Sequence, residues 1–156
     1  MIDKYLEELI INNKNLVFIG EAGSGKTEIA LNMAAELVGM RKPNSVHFFD
    51  MDQTKPLFRA RDKAGEFSGK GIIFHYQSQY LDAPTVVSGV NETLYDAKRT
   101  VIMDIGGGAM GSHMIGQFSK ALSSEDTKVF YIVNPYRPWS GSREDIEQTM
   151  TRVLHV

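Results

Sequence analysis

Residues 16–27 read LVFIGEAGSGKT. The run opens with four apolar residues, too few for a helix, and reaches glycine at once, so it predicts a buried strand over 16–20. After the glycine-rich stretch, Ile29, Ala30, Met33, Ala34, Leu37 and Val38 fall on one helical stripe. Gly39 and Pro43 are read as closing that helix. Strand, tight turn and helix in this order are the opening of a parallel βα unit, and the remaining chain repeats the alternation.

Upstream, Leu6, Leu9 and Ile10 predict a short amphipathic helix that Asn12, Asn13 and Asn15 end. Downstream, strands are predicted at 45–50 (SVHFFD), 71–77 (GIIFHYQ), 100–105 (TVIMDI) and 128–133 (KVFYIV). Helices are predicted over 84–98, with Val86, Val87, Val90, Leu94 and Ala97 inward, over 114–122 and over 143–154. Residues 51–71 are polar, without a clean period, and read as a long loop with a short helix around 56–63; Phe67 and Gly65–Gly71 are placed in its mobile part. The segment GGGAMGSH at 106–113 reads as a flexible turn. All five strands are apolar, as a sheet covered on both faces requires. The expected fold is therefore α/β, three layers, with a mainly parallel five-stranded sheet and helices on both faces. The fourth strand should lie beside the first, with the second strand beyond it.

Composition narrows the function. The 156 residues allow one domain. With no cysteine, a disulfide framework, a thiolate metal site and a cysteine nucleophile are excluded. A net charge of -2 gives no global basic field for nucleic acid. No apolar run reaches the roughly 18 residues of a membrane span. The N-terminal segment lacks the basic flank and long apolar stretch of a signal peptide, so a cytoplasmic location is expected. The four histidines, His47, His75, His113 and His155, are dispersed and none pairs at a metal-ligand spacing. No G-x-S-x-G elbow is present.

The glycine-rich stretch carries the chemistry. GEAGSGKT at 20–27 fits GxxxxGK[ST] at every fixed position. Backbone N–H groups around such glycines form a concave nest for phosphate oxygens, and the following helix points its positive dipole end at the same place. Gly23, Ser24, Gly25, Lys26, Thr27 and Glu28 are thus candidate phosphate-binding positions. Lys26 supplies a cation to the β- and γ-phosphates, and Thr27 a hydroxyl to Mg²⁺. A metal partner is expected at the end of a neighbouring apolar strand, and Asp104 in TVIMDIGGG fits it. Gly107 completes a D-x-x-G spacing suited to a switch loop. Asp50 and Asp52 end the second strand as FFDMD; two acids at i, i+2 on extended chain face the same side, one suited to ordering the attacking water and the other to touching the Mg²⁺ shell. Asn134, in the run NPYRP, has a donor and an acceptor that match adenine, and Tyr136 or Arg137 suits stacking on the ring. Trp139 is expected to be a partly exposed aromatic.

These motifs together resemble the ParA/MinD/CooC-like ATPases, whose nucleotide-binding domain is shared with the nitrogenase iron protein. The likeness rests on GEAGSGKT, FFDMD, IMDIGGG and VNPYRP in that order, over residues 16 to 138. It implies a Mg²⁺-dependent switch that binds ATP and ADP and hydrolyses ATP slowly, with a nucleotide-dependent homodimer and a further protein partner. The catalytic set would be Lys26, Asp50, Asp52 and Asp104, with Thr27 and Asp104 at the metal and Asn134 and Arg137 at the base. Such families carry a second lysine early in the loop; Glu21 stands there, and Arg59 or Arg61 is the alternative source of a finger. They also continue past the base-binding loop with another strand and helix, so ending at Val156 implies a minimal version or a truncated chain. A small-molecule kinase with its acceptor site in 51–70, and a nucleotide-binding module without turnover, remain alternatives.

Overall fold

A computed structural model of the chain describes residues 4–52, 60–76 and 87–154, without the side chains of Arg61, Ala109 and Met110. Its frame is five strands: β1 (Asn15–Ile19), β2 (Val46–Met51), β3 (Ile72–His75), β4 (Thr100–Ile105) and β5 (Thr127–Tyr131). All neighbouring pairs are parallel, in the order β3-β2-β4-β1-β5. β4 lies beside β1 and β2 lies beyond it, as expected.

Seven helices accompany the described strands: α1 (Lys4–Asn12), α2 (Lys26–Met40), α3 (Ala64–Ser68), α4 (Val90–Tyr95), α5 (Gly108–Gly116), α6 (Ser119–Leu122) and α7 (Arg143–Leu154). Alternation along the strands sorts the core into two clusters. Leu16, Phe18, Phe48 and Ile102 face one way and pack with Ile10 of α1, Ala30, Ala34 and Leu37 of α2, and Phe67 of α3. Val17, Phe49, Val101 and Met103 face the other way and pack with Val90 and Leu94 of α4, Met114 of α5, and Ala121 of α6. This is the three-layer α/β arrangement. Burying each large apolar side chain contributes about 1.5–3 kcal/mol, which is why β1, β2 and β4 read as unbroken apolar runs.

Several local expectations are corrected. The sheet is not buried on both sides throughout: β5 is an edge strand, with Lys128 exposed and Val129 54% exposed. The segment 106–113 is not a flexible turn. Helix α5 begins at Gly108, and its Gly111 serves close packing, since a Cβ there would collide with the Gly106 carbonyl. The helix expected over 114–122 is interrupted at Gln117 and Phe118, between α5 and α6. The helix expected over 84–98 is, among the described residues, only Val90–Tyr95; Gly89 in the left-handed region starts it, Asp96 in extended backbone ends it, and Ala97 is exposed. Residues 84–86 lie outside the described residues. Phe67 is buried in α3 rather than placed in a loop, because a 3-10 turn over 60–63 feeds α3 onto the core. In α2, Gly39 lies inside the helix, and Ile29 is 41% exposed.

Candidate functional site

The carboxyl ends of β1, β2 and β4 converge where α2 begins, the crevice in which open α/β sheets place ligands. β1 stops at Ile19 and the chain turns through residues 20–25 into α2. Gly23 (φ 76°) and Gly25 (φ 93°) hold left-handed backbone that side-chain-bearing residues adopt only with strain. Gly25 is the N-cap of α2 and receives no side-chain cap; a Cβ there would meet nothing within 4 Å. The loop thus leads into the positive end of a 15-residue helix whose N-cap makes no side-chain hydrogen bond. Behind them, the Ser24 hydroxyl is buried and has no hydrogen-bond partner among the described residues. Lys26 is 1% exposed and donates Nζ to the Glu21 carbonyl at 3.1 Å. Its ammonium thus lies across the loop.

The acids meet the loop from the sheet. Thr27 Oγ1 donates to Asp104 Oδ2 at 2.6 Å, a buried contact joining residues 77 apart in sequence. Asp104 lies opposite Asp50 in the β2–β4 register, so both carboxylates share the α2 face. The Asp52 N–H donates to Asp50 Oδ1 at 3.2 Å. All three acids are at most 2% exposed. Charge is costly there unless it is met by donors or cations, and Thr27 is one such donor. The chain after β4 packs back on the loop: a Cβ at Gly107 would stand 2.7 Å from the Ala22 nitrogen, and one at Gly106 3.2 Å from Asp52 Oδ1. Glycine is required at 107 for this close approach, not for its φ of -67°.

Beyond β5, Asn134 donates Nδ2 to the Gly23 carbonyl at 3.3 Å and accepts from the Tyr136 N–H at 3.0 Å. Arg137 donates Nε to the same carbonyl at 3.4 Å. Both residues thus brace the glycine loop. Ser140 donates to the Asn134 carbonyl at 2.6 Å and Thr149 to the Trp139 carbonyl at 3.1 Å, tying α7 to this corner. A cavity of about 10 Å³, room for one water, lies between Ser24, Tyr131, Asn134, Trp139 and Ile146. Burial, with the Glu21 carboxylate second, raises the Tyr131 phenol above its ordinary range.

The expected site residues Gly23, Ser24, Gly25, Lys26, Thr27, Asp50, Asp52, Asp104, Asn134 and Arg137 are brought together. Glu28 is exposed on the first turn of α2, and its side chain makes no hydrogen bond among the described residues. His113 is exposed on α5. Trp139 is 37% exposed, as its setting implied. Arg59 lies outside the described residues. Two pairings escaped the sequence. Arg152 of α7 reaches Glu21 (Nη2 to Oε1, 2.7 Å), across 131 positions. His47 and His75, neighbours only through the β2–β3 register, share a 2.8 Å Nδ1–Nε2 hydrogen bond. Burial, reinforced by the facing His75 and by Arg99, lowers His47 to about 4; burial and then Arg99 lower His75. Only the sheet register could have revealed that pair.

In comparisons with known proteins, no family model matches the chain and no curated protein matches it. No described helix is long and apolar enough to cross a membrane.

Proposed function

We propose that the chain is a Mg²⁺-dependent ATP-binding and ATP-hydrolysing switch of the ParA/MinD/CooC type. The observation that carries the reading is the Thr27–Asp104 contact at the head of α2, with Lys26, Asp50 and Asp52 buried around it. The donor set suits the metal: a hydroxyl and carboxylates are hard oxygen ligands. Among the described residues no group of three or more His, Cys, Asp or Glu is arranged to hold a metal alone. Mg²⁺ is usually held by one or two protein oxygens together with substrate phosphates and water.

The loop fits a polyanion by the open space at Gly25, the positive end of α2 and the buried Ser24 hydroxyl. In this reading the amides of residues 23–27 and Lys26 bind and orient the phosphates. Thr27 and Asp104 would hold Mg²⁺, which supplies charge neutralisation when bound. Asp50 or Asp52 orients the water for in-line attack. Positioning and electrostatics then supply most of the rate. Asn134 and Arg137 fix the loop from the base side, with Tyr136, 95% exposed, available to a ring. Gly107 couples the chain after β4 to the loop.

Phosphate release from Mg·ATP at several protein concentrations tests the reading. Slow turnover is expected, absent in Lys26→Ala, with a rate per molecule that rises with concentration if a dimer activates it. Tight ATP binding with no turnover at any concentration would refute the hydrolytic part. Stoichiometric ADP formation driven by an added hydroxyl compound would replace it with a kinase.

A further inference from the structure

Glu21 places a carboxylate inside the segment that the proposed function assigns to a triphosphate. A negative side chain there opposes an anionic ligand. The structure sets one cation against it: the Arg152 guanidinium, carried by the last turn of α7, donates to Glu21 Oε1 at 2.7 Å. Arg152 is 66% exposed and Glu21 19%. An ion pair whose arginine is largely exposed contributes little to folding stability, and this one joins residues 131 positions apart. The Glu21 backbone carbonyl meanwhile accepts from Lys26 Nζ, so the carboxylate and the phosphate-site ammonium belong to the same turn.

We infer that Arg152 is a positioning residue of the phosphate site, which holds the Glu21 carboxylate in a neutral pair and so keeps the loop receptive to a polyanion. The inference rests on the nucleotide reading above and assigns α7 a part in it. It also turns position 21 towards its own chain. The charge balance makes the signs distinctive. Removing Arg152 leaves a bare carboxylate beside the phosphates and weakens binding. Removing the Glu21 charge leaves a bare guanidinium and strengthens it. Removing both restores neutrality.

The test is titration of Mg·ATP and Mg·ADP into the full chain and into Arg152→Gln, Glu21→Gln and the double variant, at low and high salt, with thermal unfolding to confirm folding. For unit charges near a protein surface, Arg152→Gln is expected to weaken Mg·ATP binding about three- to tenfold. Glu21→Gln is expected to tighten binding, and the double variant to return close to wild type. The differences should be smaller for ADP and shrink at high salt. A merely mechanical tie predicts weakening in both single variants, without salt dependence, and that result would overturn the inference. So would an unchanged affinity in Arg152→Gln. Failure of the wild-type chain to bind Mg·ATP at all is a different outcome: it removes the nucleotide reading, and this inference with it.

Discussion

Thr27→Val isolates the contact on which the site turns. Valine keeps the branched shape and both methyl-sized branches but deletes the hydroxyl that donates to Asp104 Oδ2 at 2.6 Å. Both residues are at most 3% exposed, so water does not readily replace the lost donor. A hydrogen bond to a charged group contributes about 1.5–3 kcal/mol, and a donor lost from a buried carboxylate costs at the upper part of that range. Thr27→Ser keeps the hydroxyl and loses one methyl, for about 1 kcal/mol. In urea, a slope of about 2 kcal/mol per molar converts these into midpoint losses of about 1 M or slightly more for valine, and about half that for serine. The assay is equilibrium urea unfolding of the three chains at neutral pH, followed by ATP titration with and without Mg²⁺. Valine should also abolish the enhancement of binding by Mg²⁺, whereas serine should retain it. A valine variant that unfolds at the wild-type midpoint, or a serine variant as damaged as valine, would show that the hydroxyl does not support Asp104.

Two other perturbations test separate parts of the account. Gly107→Ala puts a methyl group 2.7 Å from a backbone nitrogen of the phosphate loop, which cannot rotate away; a loss of about 1–3 kcal/mol and weaker ATP binding are expected, and an unchanged melting temperature would contradict the packing. The His47–His75 pair predicts acid sensitivity. With His47 lowered from 6.5 to about 4, the unfolded chain binds the proton more readily than the folded one between those values. Its contribution is therefore complete above pH 6.5 and declines as pH falls towards 4, by on the order of 3 kcal/mol at most. Urea midpoints across that range should fall less steeply in His47→Gln; identical slopes would exclude the pair as their source.

The parts of the molecule that were legible in sequence are those fixed by local period and by glycine. LVFI, TVIMDI and the α2 stripe gave the central strands and the helix over them, because burial on both faces leaves little room for polar residues. Thr27, Asp104 and Asp50 were legible as a group because each closes or follows such an element. Edge exposure of β5 was not, since KVFYIV reads as apolar whether or not a neighbour covers it. Nor was α5, where glycine's usual helix penalty is offset by close packing at Gly111. Glu21–Arg152 and His47–His75 depend on tertiary register, to which single-sequence patterns are blind.

The proposed function seats a polyanion on the amides at the head of α2, steadied by the Lys26 ammonium. Calorimetric titration of ATP, ADP and GTP, with and without Mg²⁺, into the wild-type chain and Lys26→Ala tests it most directly. Saturable ATP binding is expected, strengthened by Mg²⁺, preferring adenine and lost in Lys26→Ala. Full retention of Mg·ATP affinity in that variant, or no binding by the wild-type chain, would contradict it.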